Sequence, residues 1–356
     1  MQKLLVTECE RQERGTQMRD DLGITIKLEN GKAHLEFLLP EDVGRLLSVL
    51  QIEIWEGAEG ERLVFHGEYA PEEADCMTAL LLRPHLWDGV RDPYVYLVKA
   101  KGRFGTVEYG EKMGGTKNEE ESDPAEDIAE AVEVYWRQEL TIYGVRVVDK
   151  KGIFLNEKEF LPHEVAYRLP PQISDAGTRV EQVRRDLERL VQMGVNVIRL
   201  EGTGTGAEGV NCSEVRTFYS LCRKRGFLTG DLWIRPENLP VYRGLPGETT
   251  CQALLAADGR TLTERYYYYQ AKWSSEPVLY PVLSTLHRQE NGLLSLTIYS
   301  NQKKVVLYVD GVLFLFQSAA SGDPEFIFED IPVAKLPLHL AVEAGNLSIS
   351  LTVSKI

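Results

Sequence analysis

The sequence predicts a mainly β chain in three parts: a β-sandwich, a short α/β piece and a second β-sandwich. Three observations carry this. Between about residues 23 and 150, apolar and polar positions alternate in short segments broken by turn residues. The period then lengthens to that of a helix for two stretches, each followed at once by a short apolar run. From about residue 292 the alternation returns. The boundaries fall at 1–150, 151–276 and 277–356.

In the first part, "ITIKLENGKAHLEFLL" reads as two strands joined at Asn30-Gly31, a dipeptide suited to the positive φ angles of a tight hairpin. "LLSVLQIEIW", "YVYLVKAKG" and "ELTIYGVRVVD" continue the sandwich. The run "GEKMGGTKNEEESDPAEDIAEA" at 110–131 is rich in carboxylates but has no regular calcium-ligand spacing, so it reads as a solvated, mobile loop.

In the second part, Thr178-x-x-Glu181 forms a capping box before "RVEQVRRDLERLVQM". Val180, Val183, Leu187, Leu190 and Val191 recur there at helical spacing, and Gly194 supplies the stop. The strand "VNVIRL" follows. Ser213 is the expected cap of "EVRTFYSLCRKR", Gly226 its end, and "FLTG" the next short strand. The order β-α-β-α-β implies parallel strands with right-handed crossovers. Farther on, "CQALLAAD" reads as a small covering helix that presents Cys251, Ala253, Leu254, Leu255 and Ala256.

The third part contains "LLSLTIYS", "KVVLYVDGVLFLF" with its Asp310-Gly311 turn, "EFIFEDI", "LPLHLAVEAG" and "NLSISLTVS", all strands by alternation. Just before it lies "YYYYQAKWSSEPVLY", residues 266–280. On propensity alone the four tyrosines make a strand or a sugar-stacking platform; the competing reading is rings buried by packing.

Composition narrows the function. A formal net charge of −14 and the lack of a basic stripe argue against a nucleic-acid partner. The N-terminal "MQKLLVTECERQERG" lacks the apolar core and cleavage site of a secretory signal, and no apolar run is of membrane-spanning length, so a cytoplasmic location is expected. Five scattered cysteines without a C-x-x-C pair read as free thiols, and the scattered His34, His66, His85, His287 and His339 suggest no metal site. "GTGTG" after the second strand lacks both the G-x-G-x-x-G order and a Walker lysine, so no nucleotide or other cofactor is implied.

Six segments then carry a resemblance. "LRPHLWDGVRDPYVYLV" resembles the end of the immunoglobulin-like domain of glycoside hydrolase family 2, the β-galactosidase and β-glucuronidase family. "YGVRVVDKKGIFLNEKEF" is similar to the strand and hairpin that lead into that family's barrel. "DLERLVQMGVNVIRL" and "FYSLCRKRGFLTGDL" resemble successive helix–strand pairs of the barrel, and "YYYYQAKWSSEPVLY" its last helix, which ends in Trp-Ser-x-Glu-Pro. "SLTIYSNQKKVVLYVDGV" resembles the opening of the C-terminal β-domain. The resemblance implies an immunoglobulin-like β-sandwich, a residual α/β core reduced from a TIM barrel, and a C-terminal immunoglobulin-like sandwich. It also implies that the tyrosines are helical, some inward and some on a domain contact.

The departures bear on activity. Retaining hydrolysis needs two carboxylates, which the family takes from barrel strands four and seven. Between Asp231 and Glu264 this chain has only "LWIRPENLPVYRGLPGETTCQALLAADGRTLT", too short for the missing strands and helices, and no Gly-Asn-Glu acid/base motif occurs. His163 to Arg168 replace Arg-Gly-Val-Asn-x-His; Glu201-Gly202 replace Ser-His; Gly230-Asp231-Leu232 replace Trp-Asp-Glu. Asn196, Arg199, Gly226 and Asp231 match. The residual cleft would be lined by His163, Glu164, Tyr167, Arg168, Arg199, Glu201, Asp231 and Trp233, with Tyr167 and Trp233 to stack on a sugar.

Adjacent His163 and Glu164 point to opposite faces of their strand and would not share a substrate. Arg199 and Glu201 share a face, and a structural ion pair between them is favoured over a site. The expected function is non-catalytic, carbohydrate recognition or a structural role in an assembly; the alternative is an O-glycosyl hydrolase with relocated carboxylates, or one acting in an oligomer. A three-stranded remnant would leave a bare sheet edge, which the sandwiches or a second copy in a homodimer are expected to cover.

Overall fold

Alternation with a period of two becomes antiparallel sheet wherever one face can be buried, and this chain uses it in two separate regions. The computed structural model describes residues 22–39, 47–70, 77–104, 133–148, 151–170, 176–201, 212–229, 239–244, 253–319 and 322–355. They belong to two units: Met1–Asp88 with Asp92–Leu161, and Gly89–Arg91 with Pro162–Ile356. The acidic run at 110–131 and the "GTGTG" segment lie outside the described residues.

The first unit contains β1 (Gly23–Glu29), β2 (Lys32–Leu38), β3 (Leu47–Glu56), β4 (Arg62–Tyr69), β5 (Thr78–Leu82), β6 (Tyr96–Phe104) and β7 (Glu133–Leu140). Asn30 and Gly31 take φ angles of 50° and 72°, as the expected hairpin requires. Strands β1-β2-β5 form one antiparallel sheet and β4-β3-β6-β7 the other. Inward Phe37, Ile52, Ile54, Val98 and Trp136 belong to one shared core, so the expected sandwich is present. The segment "ELTIYGVRVVD" is not one strand. It stops at Leu140, and β8 (Val145–Val148) opens a small sheet with β9 (Gly152–Leu155) and β10 (Lys158–Phe160).

The second unit begins with β11 (Glu164–Tyr167), α1 (Ala176–Met193), β12 (Val197–Leu200), α2 (Cys212–Lys224) and β13 (Leu228–Thr229). Both helices start slightly before their expected caps, so Thr178 lies within the first turn of α1 instead of ahead of it. Their ends are as expected. Gly194 and Gly226 take φ angles of 88° and 85°. The next amides reach back five residues, Val195 to the Leu190 carbonyl and Phe227 to that of Cys222.

Two further strands, β14 (Val241–Arg243) and β15 (Ala253–Leu255), join this sheet, so the "CQALLAAD" helix is not formed: Ala253–Leu255 runs as a strand parallel to β14. The all-parallel order is β13-β12-β11-β14-β15, with five strands where three were expected. A barrel wall laid down in chain order would put the last strand beside the first. Here β14 takes that place and β15 is outermost, the 3-2-1-4-5 order of an open α/β sheet. Of the edges that a three-stranded remnant would leave bare, the one along β11 is paired by β14, and the sheet ends at β13 and β15.

α3 (Glu264–Trp273) holds the tyrosines, so the strand and platform readings give way to a helix. Successive residues of a helix are turned by about 100°, so four in a row must face four directions. Tyr266 points inward and donates to the Arg189 carbonyl of α1 at 2.9 Å. Tyr269 tilts onto Trp273, one turn on, at 4.5 Å between ring centres.

The other two rings meet the C-terminal sandwich, formed by β16 (Leu279–Arg288), β17 (Leu294–Ser300), β18 (Lys304–Val309), β19 (Val312–Ser318), β20 (Glu325–Ile331), β21 (Leu338–Ala344) and β22 (Leu347–Val353). Tyr267 stacks on Tyr280 of β16 at 3.8 Å, and Tyr268 meets Tyr299 of β17 edge-on at 5.4 Å. Sheets β16-β17-β20 and β19-β18-β21-β22 enclose a core of Leu296, Ile298, Leu307, Phe328 and Leu340. Strand β16 begins before the expected start of alternation because Pro281 interrupts the pattern. It is an edge strand, where proline is tolerated. Among the described residues no helix is long and apolar enough to cross a membrane.

Burial pushes the phenols of Tyr96 and Tyr266 up to about 12. Unfolded tyrosines ionise near pH 10, so between about pH 10 and 12 the unfolded chain gives up protons that the folded chain keeps, and stability falls as pH rises. In an alkaline titration followed at 295 nm, Tyr96→Phe and Tyr266→Phe should leave the phenolate absorbance gained between about pH 10 and 11 unchanged while near-UV circular dichroism is intact. A loss of absorbance in that range in either variant, with tertiary structure intact, would contradict the packing described.

Candidate functional site

Parallel pairing dictates which side chains of β11 and β12 share a face. Glu164 lies opposite Val197 and Ala166 opposite Arg199, so Glu164, Ala166, Val197 and Arg199 project to one side and Val165, Tyr167, Ile198 and Leu200 to the other. The second set joins the apolar core with Leu187 and Leu190 of α1 and Phe218 of α2. The first set carries the charges.

Those charges pair differently from expectation. Arg168 Nε donates to Glu201 Oε2 at 2.8 Å, and Arg199 Nη2 lies 3.0 Å from Glu164 Oε1. Glu201 sits level with Arg168 on the neighbouring strand, about 4.8 Å away between backbones, whereas Arg199 is two residues back on its own strand, about 6.6 Å away. Arg199 is thereby left to Glu164. That pair is largely buried, with the glutamate side chain 7% exposed, whereas Arg168 and Glu201 are 25% and 38% exposed. Arg168 Nη1 also reaches the Arg243 carbonyl of β14 at 3.4 Å. The half-exposed pair thus stands where the carboxyl ends of β11, β12 and β14 meet, the side of a parallel α/β sheet on which ligands bind.

On the opposite face lies a polar centre that sequence reasoning missed. Asp186, in the middle of α1, is 1% exposed. Its carboxylate accepts hydrogen bonds from Tyr167 Oη at 2.9 Å, Tyr242 Oη at 3.1 Å and Arg243 Nη2 at 2.6 Å. Arg189 Nη1 stands 3.7 Å away. Burial first, and then the Asp186 charge, push the phenols of Tyr167 and Tyr242 far above the ordinary tyrosine range, so both remain donors. Gly259, with φ 68°, lets the turn after β15 approach: a Cβ there would lie 2.8 Å from Arg243 Nη1. The signal was present in the sequence, since Asp186 interrupts the stripe Val183, Leu187, Leu190 at a position that should be apolar.

Three of the expected cleft residues do not line an open surface, and the first, Glu164, is buried in its pair with Arg199. Tyr167 is fully buried, stacked between Phe218 at 4.9 Å and Tyr242 at 5.4 Å, and has no face left for a sugar. His163 precedes the opposite end of β11, roughly 16 Å along the chain from Arg168. Its Nδ1 lies 2.8 Å from the Gly194 carbonyl and its ring stacks on Trp273, so it ties the end of α1 to the end of α3. Burial lowers its pKa. Asp231 and Trp233 lie outside the described residues. Among the described residues no group of three or more His, Cys, Asp or Glu gathers to hold a metal ion.

No family model matches the chain, and no curated protein matches it in sequence. Solved structures do. The FMN-binding β-glucuronidase of Facaelibacterium prausnitzii L2-6 superposes with a TM-score of 0.61 at 14% identity, over 94% of this chain and 73% of that one. A β-glycosidase from Bacteroides vulgatus gives 0.62 at 11%, over 95% and 65%. The Parabacteroides merdae β-glucuronidase with glycerol in its active site gives 0.58 at 11%, over 93% and 63%. The chain thus spans less than two thirds of the last two. It shares the fold of β-glucuronidases and β-glycosidases resembling glycoside hydrolase family 2.

Removing one partner of a buried, hydrogen-bonded charge costs about 3–5 kcal/mol, whereas an exposed pair is worth about 0–1 kcal/mol. Asp186→Ala should therefore lower the urea-unfolding free energy of the second unit by about 3–5 kcal/mol, and Glu201→Gln by less than about 1 kcal/mol. Equal losses, followed by circular dichroism, would refute the central place given to Asp186.

Proposed function

We propose that this chain is a catalytically inactive relative of the family 2 glycoside hydrolases that recognises carbohydrate at the carboxyl edge of its parallel sheet, with Arg168 and Glu201 as the polar contacts. In this reading the sheet descends from a TIM barrel shortened between residues 231 and 264, flanked by two immunoglobulin-like domains at 1–150 and 277–356.

The placing of the two glutamates supports the non-catalytic part. Glu164 is level with Val197, and Glu201 lies four residues farther along that strand, so their backbones stand about 13 Å apart. Retaining and inverting hydrolysis need carboxyl groups about 5–5.5 Å and 6.5–9.5 Å apart, which would require both side chains to lean toward each other. Each glutamate is instead engaged by its own arginine. The carbohydrate part is supported by the fold shared with enzymes named for glucuronides and glycosides, and by the half-exposed Arg168–Glu201 pair, whose donors and acceptors suit sugar hydroxyls.

Chromogenic β-glucuronides, β-galactosides and β-mannosides should show no turnover above buffer, and a glycan array should give binding that Arg168→Ala abolishes without changing the circular dichroism spectrum. Turnover abolished by Glu164→Gln, Glu201→Gln or Asp231→Asn would replace this reading with that of an active hydrolase. Lack of any glycan response at millimolar concentration would replace it with a structural role in an assembly.

A further inference from the structure

Tyr267 of α3 and Tyr280 of β16 lie face to face, 3.8 Å between ring centres, with their planes 6° apart. Aromatic pairs prefer offset or edge-on contact, and so short a separation leaves little room for offset. The surroundings hold the pair in place. Glu264, three residues before Tyr267, accepts from the Oγ of Ser284, four residues beyond Tyr280. Tyr266 meets Tyr267 edge-on at 5.4 Å, and Tyr299 stands 6.5 Å from Tyr280. Both rings of the pair are half-buried. Neither hydroxyl has a hydrogen-bond partner among the described residues, so packing alone would be served by phenylalanine. The other tyrosine pairs among the described residues stand 5.2 to 6.5 Å apart, most of them edge-on.

We infer that Tyr267 and Tyr280 are a site of oxidative cross-linking, where a one-electron oxidant joins the two rings into an intramolecular dityrosine that fastens α3 to β16. Each phenol gives up one electron and one proton. The two phenoxyl radicals then form a carbon–carbon bond between ring positions next to the hydroxyls, and the hydrogens on those two carbons move to the oxygens, restoring both aromatic rings. The electrons pass through a haem peroxidase to hydrogen peroxide, which takes up the two protons and leaves as water. Geometry favours the bond. Parallel rings on a common axis bring an ortho carbon of one within a sixth of a turn of an ortho carbon of the other, whatever their rotation, which places the two about 4–4.6 Å apart, near van der Waals contact. From Tyr280 the ring contacts continue through Tyr299, Tyr268 and Tyr269 to Trp273, so an electron lost at any of these rings is replaced from the pair. A ring already in place outcompetes one arriving from a second chain.

Hydrogen peroxide with a haem peroxidase, added to the full chain at low micromolar concentration, should give blue dityrosine fluorescence in a species of one-chain mass whose circular dichroism spectrum is unchanged. After trypsin, peptides 266–272 and 273–288 should be recovered joined, two hydrogens lighter than their sum; Tyr280 is the one tyrosine of the second peptide. Tyr267→Phe and Tyr280→Phe keep the stacked rings and should each lower the yield of this product at least about 10-fold, whereas Tyr268→Phe should leave it. Dityrosine confined to joined chains, oxidation without the joined peptides, a product that persists at full yield in either of the first two variants, or one that falls as far with Tyr268→Phe would each overturn the assignment. None of these outcomes depends on sugar binding, so the inference stands or falls apart from the proposed function.

Discussion

The second unit is organised around one buried carboxylate. Placing Asp186 in the apolar stripe of α1 would cost several kcal/mol if it stayed unpaired. The carboxylate is satisfied only when Tyr167 of β11 and Tyr242 and Arg243 of β14 converge on it. That requirement explains the strand order. β14, three residues long and with little pairing of its own, is set beside β11 because its side chains close the shell around Asp186, and β15 then adds to β14. Tyr167 also lies between two aromatic rings, so the same residue joins the polar centre to the apolar core.

α3 solves a different packing problem. A helix wedged between α1 and a β-sandwich needs apolar contact on several sides, and consecutive tyrosines provide it while each keeps a hydroxyl to direct toward a partner or solvent. The contact with the sandwich is reinforced by Glu264, whose carboxylate accepts from Ser284 Oγ at 2.6 Å. The aromatic run that suggested a sugar platform is thus committed to holding the end of the parallel sheet to β16 and β17.

The two faces of the parallel sheet have divided their tasks. The helix-covered face holds Asp186 and the core; the other face carries two arginine–glutamate pairs of unequal burial. The inner pair, Glu164 with Arg199, is placed to join β11 to β12. The outer pair, Arg168 with Glu201, is the more exposed of the two. A fold shared with glycosidases constrains this surface only loosely, because chemistry resides in the residues at the strand ends, and here those residues are engaged with each other.

Local rules were enough for much of the architecture. Asn30-Gly31 and Asp310-Gly311 mark hairpins because few other residues accept positive φ there, Gly194 and Gly226 end helices for the same reason, and period-two alternation marks the strands of both sandwiches. The helical state of the tyrosine run followed from its resemblance to a known helix, since propensity alone favoured a strand. What the chain could not reveal locally are features made by partners distant in sequence. "VYR" and "ALL" are too short to show any period, and "ALL" suits a helix until β14 lies beside it. Glu201 is two residues from Arg199 but level with Arg168, a fact that exists only once β11 and β12 are in register. Asp186 was visible as an anomaly in an apolar stripe, yet its meaning depended on Tyr242 and Arg243, more than fifty residues away, and only the tertiary fold brings them to it.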